Sequence, residues 1–369
     1  LPAGVLALAH VTFAVALSRF MQPLLAAGAA MALYLATLFR FIAQMRDRPR
    51  PRWITVWIDQ PLFAHFGASL IATLASPLCL LLAIAHDGVW FASSRTALGA
   101  AYALGVLLSV WSIWIERRLV RVRRMDVAIV DLPEDLEGYT IAQLSDLHVG
   151  SFDPKKRALE WAALSNSLNP DLAVVTGDLV TSGTAFYADV ADAIAALRAK
   201  DGVFVSMGNH DQAHNDELSR LVADRGATVL RNDARVIRRG SAELVVAGLD
   251  GRIKGSDVAR VVKKLVSAAS GAPLVLLSHY PWTFNAAARA GADLVLTGHT
   301  HGGQLGVPFL SKYYNLARMT GQLSRGLYFL GKTAMYVNAG LGTTGPPMRL
   351  AVPPEIALIA LRRSSLRSK

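Results

Sequence analysis

Cysteine is almost absent from this chain: Cys79 is the only one in 369 residues. No intrachain disulfide can form, and no metal site can rest on thiolates. Cys79 itself sits in an apolar run and reads as a small buried residue. Acidic residues are also scarce, with 27 Asp and Glu against 38 Lys and Arg, a formal net charge of +11. Charged residues make up only 18% of the chain and hydrophobic ones 53%, which excludes a disordered, charge-dominated polypeptide. The length points to two or more structural units. The excess hydrophobicity lies before about residue 116, and the remainder alternates like an ordinary globular domain.

Long apolar runs occur at 1–17, 24–43, 66–85 and 98–115. A helix needs about 20 residues to cross a bilayer core, so these predict an N-terminal bundle of about four transmembrane helices. The first run begins at Leu1 rather than Met and has no basic residues ahead of it. The missing basic segment favours a span, with a signal peptide as the rival reading. Arginines cluster at Arg46, Arg48, Arg50 and Arg52, and again at Arg117, Arg118, Arg121, Arg123 and Arg124. Both clusters flank apolar runs, which ties the positive charge to a membrane surface and disfavours nucleic acid as its partner. With both clusters inside, the chain reads as a multi-pass protein of the cell (inner) membrane whose C-terminal half is cytoplasmic.

Beyond about residue 125 the pattern changes. Apolar runs at 139–144, 172–176, 203–207, 244–247, 274–277, 294–297 and 335–338 read as strands. Helical segments at 154–168, 186–199, 216–224, 256–267 and 282–290 lie between them. Near-continuous apolar strands alternating with helices predict a buried sheet covered by helices, an α/β domain. The expected organisation is a transmembrane helical anchor over 1–120 and an α/β domain over 125–363.

Five blocks follow these strands: Asp146-Leu147-His148, Gly177-Asp178, Gly208-Asn209-His210-Asp211, Ser278-His279 and Gly298-His299-Thr300-His301. Functional groups of α/β sheets gather at strand carboxyl ends, and all five blocks fall there. Carboxylate, amide oxygen and imidazole suit divalent transition metals. Asp146 and His148, two apart on an extended strand end, are expected to share one face, as are His299 and His301 across Thr300. Asp178 has two oxygens and a glycine neighbour, which suits a bridge between two ions. Any one block is a weak signal; the set in this order is a strong one.

The ordered set D-x-H, G-D, G-N-H-D, H and G-H-x-H resembles the calcineurin-like metallophosphoesterase family, over about residues 127–361. The run Gly298–Gln304 (G-H-T-H-G-G-Q) and the later N-A-G-L-G-T-T-G-P-P-M-R at 338–349 resemble its bacterial membrane-associated branch, which includes phosphohydrolases related to UDP-2,3-diacylglucosamine pyrophosphatases. The resemblance implies a metallophosphoesterase β-sandwich flanked by helices. It gives one divalent ion to Asp146, His148, Asp178 and His301 and a second to Asp178, Asn209, His279 and His299, the ions being Mn²⁺, Fe²⁺ or Zn²⁺. It places His210 beside the leaving-group oxygen as proton donor, with Asp211 orienting or polarising it. The implied reaction is direct hydrolysis of a phosphoester or pyrophosphate bond, without a covalent enzyme intermediate.

Membrane lipids are the expected surroundings, and a phosphorylated lipid or lipid-linked compound the expected substrate. A soluble nucleotide-type phosphodiester is the alternative. A non-catalytic scaffold on this fold would be expected to have lost ligands, and none is missing. No obligate protein partner is evident. Residues 305–332, apolar and aromatic with scattered cations, read either as a membrane-facing flap or as an insertion packed on the core. Arg349 reads either as a phosphate contact or as a surface ion pair.

Overall fold

A computed structural model describes residues 3–45, 48–87, 92–212 and 215–364. Arg46, in the first basic cluster, lies outside the described residues. The chain divides into two compact units: Leu1–Arg118 with Gly345–Leu350, and Leu119–Thr344 with Ala351–Lys369.

The first unit is helical. Pro23–Gln44, Arg52–Ala85 and Ser94–Arg118 are each long and apolar enough to cross a membrane, at 22, 34 and 25 residues. The first apolar run forms Ala3–Leu17, whose 15 residues fall short of the usual span length. Leu24, Phe39, Leu74 and Leu107 are exposed on these helices, as expected for faces turned to lipid rather than to water. Charge inside the bundle is paired: buried Asp59 meets both Arg40 and Arg50 at 3.0 Å. The short segment Gly345–Leu350 packs among the helices. The Gln44 amide donates to the Gly345 carbonyl (2.7 Å), and the Arg349 backbone N–H donates to the Ser112 carbonyl (3.3 Å). Arg349 is fully buried, which rules out the surface ion pair among its two readings.

The second unit contains the strands β1 (Arg121–Val130), β2 (Thr140–Leu144), β3 (Leu172–Thr176), β4 (Val203–Ser206), β5 (Thr228–Val229) and β6 (Asp233–Arg239). They are followed by β7 (Ala242–Gly248), β8 (Leu274–Leu277), β9 (Leu294–Thr297), β10 (Gly326–Leu330), β11 (Thr333–Val337) and β12 (Glu355–Ser364). One sheet has the order β1-β12-β2-β3-β4-β5, the other β10-β11-β9-β8-β7-β6. Within the first, β2, β3, β4 and β5 run parallel; within the second, β7, β8, β9 and β11 do. Ile141, Val174, Phe204, Val246, Leu277 and Leu296 pack in one core shared by the two sheets. On the outer face of the first sheet, Val175 and Val205 meet Trp161, Val190 and Val222 of the covering helices. On the outer face of the second, Ala247 and Val295 meet Val258, Val262 and Phe284. Central strands are thus buried on both faces, which is why their sequences are continuous apolar runs.

The architecture is a helix-flanked pair of mixed sheets, as the α/β reading expects. Three of the strands missing from that reading have causes visible here. Strand β1 begins inside the arginine cluster, whose charge pattern resembles a membrane flank. Strand β6 carries Arg235, Arg238 and Arg239 and pairs only with β7 at the sheet edge. Strand β12 pairs parallel with β1 and antiparallel with β2, an arrangement that no local pattern signals.

Candidate metal centre

Strands β2, β3 and β4 end at Leu144, Thr176 and Ser206, and β8 and β9 end at Leu277 and Thr297. Each predicted block starts within two residues of one of these ends, so both sheets deliver side chains to one place. Buried Gln143 ties the sheets together there: its amide donates to the Thr176 hydroxyl and to the Thr297 carbonyl, both at 3.0 Å.

The structure changes how the blocks achieve convergence. Asp146, His148, Asp178, His299 and His301 have φ of 50°, 44°, 53°, 69° and 50°. They occupy the left-handed region, which non-glycine residues seldom adopt and which clusters at functional sites. The side chains are therefore aimed by sharp turns beyond the strands, and the shared-face argument from an extended strand does not apply. His299 and His301 in fact point to different groups of donors. Asp146, His148 and His301 form one group, His148, Asp178 and His210 a second, and Asp178, His279 and His299 a third, with donor atoms within 4.8 Å of one another in each.

The distances are short and mutually consistent. His148 Nε2 lies 3.0 Å from His301 Nε2, and His301 Nε2 lies 3.5 Å from Asp146 Oδ1. His279 Nε2 lies 3.1 Å from Asn209 Oδ1, 3.1 Å from His299 Nδ1 and 3.2 Å from Asp178 Oδ2. Asp178 Oδ2 is also 3.6 Å from His148 Nε2, so this carboxylate stands between the groups. Two donors each about 2.1 Å from one ion, at right angles, would be about 3 Å apart. The donor set fits divalent cations in both spacing and chemistry.

Neighbouring groups fix the orientation of these ligand candidates. Ser145 Oγ donates to Asp146 Oδ2 (2.6 Å), and the His299 backbone N–H donates to the same carboxylate (3.0 Å). His279 Nδ1 faces the Thr176 carbonyl at 2.9 Å; a carbonyl only accepts, so Nδ1 carries the proton and Nε2 is turned inward. Two glycines make the approach possible. A Cβ at Gly208 would lie 2.2 Å from Asp178 Oδ1, and one at Gly298 would lie 1.9 Å from Ser145 Oγ.

Burial dominates the electrostatics. It pushes the Asp146 carboxyl up to about 6. Burial and the neighbouring His210 push His148 down to about 3, and burial and His279 push His299 down to about 4. Neutral imidazoles present lone pairs, the form that ligates metal. Burial works against charge on Asp178 and His279 as well, but their mutual attraction outweighs it. Asp178 is held well below the usual carboxylate range, and His279 is pushed up to about 9.

His210 is half-buried, falls in the middle group with His148 and Asp178, and its ring meets that of His148 edge-on at 4.7 Å. Its Nδ1 lies 2.5 Å from the Thr181 carbonyl, which makes Nδ1 the protonated nitrogen and leaves Nε2 away from the backbone. Asp211 does not orient it. The fully buried Asp211 accepts the backbone N–H groups of Leu179 and Gly208 at 2.8 Å and of Val180 at 3.3 Å. It ties the loop bearing Asp178 to the loop bearing Asn209. Three further contributors escaped the sequence reading: Ser145, Thr181 and Tyr280. Tyr280 packs edge-on against His279 and His299 and stacks on the half-exposed Trp282. Ser145 and Tyr280 adjoin ligand candidates in the chain, a usable signal; Thr181 acts through its carbonyl, which side-chain patterns do not reveal.

The sequence pattern of calcineurin-like phosphoesterases matches residues 139–303, a range that contains all five blocks. A transmembrane protein with metallophosphoesterase domain from Danio rerio is 30% identical over 278 residues, covering 72% of this chain. The chain spans 62% of that protein's length. A metallophosphoesterase of Aquifex aeolicus is 31% identical over 271 residues, covering 70% of this chain and 98% of the relative. The UDP-2,3-diacylglucosamine pyrophosphatase LpxG of Chlamydia muridarum is 25% identical over 324 residues, covering 73% of this chain and 97% of the relative.

Proposed function

The chain belongs to the calcineurin-like phosphoesterase family, and on that premise we propose that it is a membrane-anchored phosphohydrolase using two divalent ions. The observation that carries the proposal is the convergence of carboxylate, amide and imidazole donors from five strand ends around Asp178. Asp146, His148, Asp178 and His301 would hold one ion, and Asp178, Asn209, His279 and His299 the other. Mn²⁺, Fe²⁺ and Zn²⁺ all accept this mixed oxygen and imidazole set. When bound, such ions polarise a phosphoryl group and supply a nucleophilic water.

The chain's own residues supply the rest of the chemistry. The Thr181 carbonyl holds the proton of His210 at Nδ1, so Nε2 is the atom that exchanges a proton with the departing oxygen. Ser145 and the His299 backbone N–H hold Asp146 in one orientation. Asp211 fixes the separation of the two central loops, which sets where Asp178 and Asn209 stand relative to each other.

The substrate we favour is a lipid or lipid-linked phosphate. Three helices able to span a membrane support it, as does the similarity to LpxG, a pyrophosphatase of a diacylated sugar nucleotide. The arginine clusters argue for a multi-pass protein of the cell membrane with the hydrolase on the cytoplasmic side. Tyr280 and Trp282, stacked beside His299, favour a second reading, a soluble nucleotide whose base rests on the indole.

The test is hydrolysis by the purified full-length chain with Mn²⁺ of a simple aryl phosphodiester, a UDP-linked diacyl sugar and common phospholipid phosphates. His210→Ala is expected to retain metal and lose on the order of 100-fold in kcat. Full activity in that variant refutes the proton role, and inertness of metal-replete protein toward every substrate refutes the enzymatic reading.

A further inference from the structure

Gly302, Gly303 and Gln304 follow the ligand candidate His301, and the chain then leaves the core in a long ordered loop before returning at β10. The loop's base is fixed. The Ser324 hydroxyl donates to the Gly302 carbonyl (3.1 Å), and buried Asn315 caps the turn after it by accepting the Arg318 N–H (3.1 Å). The Val307 N–H donates to the Tyr314 carbonyl and the Leu316 N–H to the Leu305 carbonyl, at 2.9 and 3.0 Å. A Cβ on Gly303 would lie 2.6 Å from Asn315 Oδ1, so the base is packed tightly against the residues that follow His301.

The tip of this fixed loop is apolar and faces outward. Phe309 is fully exposed, and Leu310, Tyr313, Tyr314 and Met319 are exposed beside it. Phe309 also sits at φ 63°, in the left-handed region that a bulky aromatic adopts only at a cost. An ordered backbone that spends conformational energy to hold a ring in water has not been shaped by core packing. Charge identifies the missing partner. Residues 305–332 contain no Asp or Glu, whereas Lys312 and Arg318 are exposed among the apolar side chains. Neither cation pairs with a carboxylate among the described residues, and Lys312 lies over the Tyr313 ring at 5.6 Å. Aromatic and aliphatic groups interleaved with cations and free of acids match an anionic bilayer interface, where rings enter the acyl boundary and cations meet headgroup phosphates. The same chain carries helices able to span a membrane, and only two residues separate the last of them, ending at Arg118, from β1.

We propose that the loop tip around Phe309, Tyr313 and Met319 is a second membrane contact, carried by the metal-bearing unit itself and seated in an anionic lipid interface next to the metal centre. The contact stands independently of the catalytic reading. Its role in admitting a lipid-borne phosphate to the site rests on that reading.

The test uses the full-length chain in nanodiscs, with Cys79→Ser as background and Phe309→Cys carrying an environment-sensitive fluorophore. In nanodiscs of equal parts phosphatidylcholine and phosphatidylglycerol, the expected emission is blue-shifted, quenched by nitroxide-bearing lipid and insensitive to aqueous iodide. Pure phosphatidylcholine, or the double change Lys312→Glu and Arg318→Glu, is expected to move the label toward water. Met319→Cys gives an independent reading should the Phe309 variant fold poorly. Iodide quenching without nitroxide quenching overturns the proposal in favour of a solvent-exposed loop. Protection from both quenchers overturns it in favour of a protein partner, including a second copy of this chain. Equal nitroxide quenching in both lipids overturns the charge argument. Hydrolysis of an aryl phosphodiester by the unlabelled chain reports separately on the catalytic reading.

Discussion

Asp211→Asn exchanges one carboxylate oxygen for an NH₂ group where every neighbouring partner is a donor. In the native arrangement the two oxygens accept from Leu179 and Val180 on one side and from Gly208 on the other. An amide can satisfy one side only, and its nitrogen then faces a backbone N–H. A buried donor left without a partner costs about 1–3 kcal/mol, and loss of the charge from the remaining bonds adds about 1 kcal/mol. The total is about 3 kcal/mol, or on the order of 10 °C in melting midpoint for a unit of this size. Because Leu179 follows Asp178 and Gly208 precedes Asn209, the loosened clamp is also expected to weaken metal affinity by about 10- to 100-fold. His210 keeps its own partner, the Thr181 carbonyl, so the shape of the pH–rate profile should persist. Thermal melting, Mn²⁺ competition against a chelator and kcat/KM across pH for an aryl phosphodiester measure the three effects. Unchanged melting and metal affinity with a displaced limb of the pH profile would refute the clamp and restore a direct Asp211–His210 partnership.

Other consequences can be checked in the same preparations. Gly298→Ala places a methyl where Ser145 Oγ and Asp146 Oδ2 now stand, at 1.9 and 2.3 Å, and is expected to lower metal affinity at least about tenfold; unaltered Mn²⁺ titration would contradict it. Asp171 accepts from the Thr140 N–H and hydroxyl and from Lys200, each at 2.8 Å, and from Arg239. Burial raises its carboxyl, but these bonds outweigh that and hold it well below the usual range. A depressed folded-state pKa gives stability that is present above the unfolded value near 3.9 and is lost as pH falls further. Asp171→Asn should therefore cost about 2 kcal/mol at neutral pH and progressively less below about pH 4; a penalty independent of pH would exclude the linkage. Chelation is expected to lower the melting midpoint by several degrees, since metal at 100 times Kd stabilises by about 2.7 kcal/mol. A midpoint indifferent to EDTA and to added Mn²⁺ or Zn²⁺ would argue against a resident metal.

Much of the strand-rich unit was legible because its signals are local. Strands buried on both faces must be apolar along their length, so β2, β3, β8 and β9 stand out in the sequence. The helices between them begin and end within a few residues of their expected bounds. Strand β10 was hidden by its own composition, since Phe329 and Leu330 are exposed and it pairs only with β11. The number of helices long and apolar enough to cross a membrane was legible only to within one, because Ala3–Leu17 is apolar but has 15 residues. A surface ion pair stayed open for Arg349 because its burial depends on Gly345–Leu350 belonging to the helical unit.

Composition and spacing by themselves determined the kind of chemistry available: imidazole, carboxylate and amide donors behind apolar strands, thiolate excluded, and arginines tied to long apolar helices. These are properties of residue type and nearest neighbours. Only the tertiary structure decided that left-handed turns rather than strand pleat aim the ligands, and that Asp211 holds two loops together instead of polarising His210. It also decided that the loop after His301 holds its apolar side chains outward. Each of these outcomes depends on where buried polar groups find partners and which surfaces the packed sheets leave uncovered, and both are settled between residues distant in the chain.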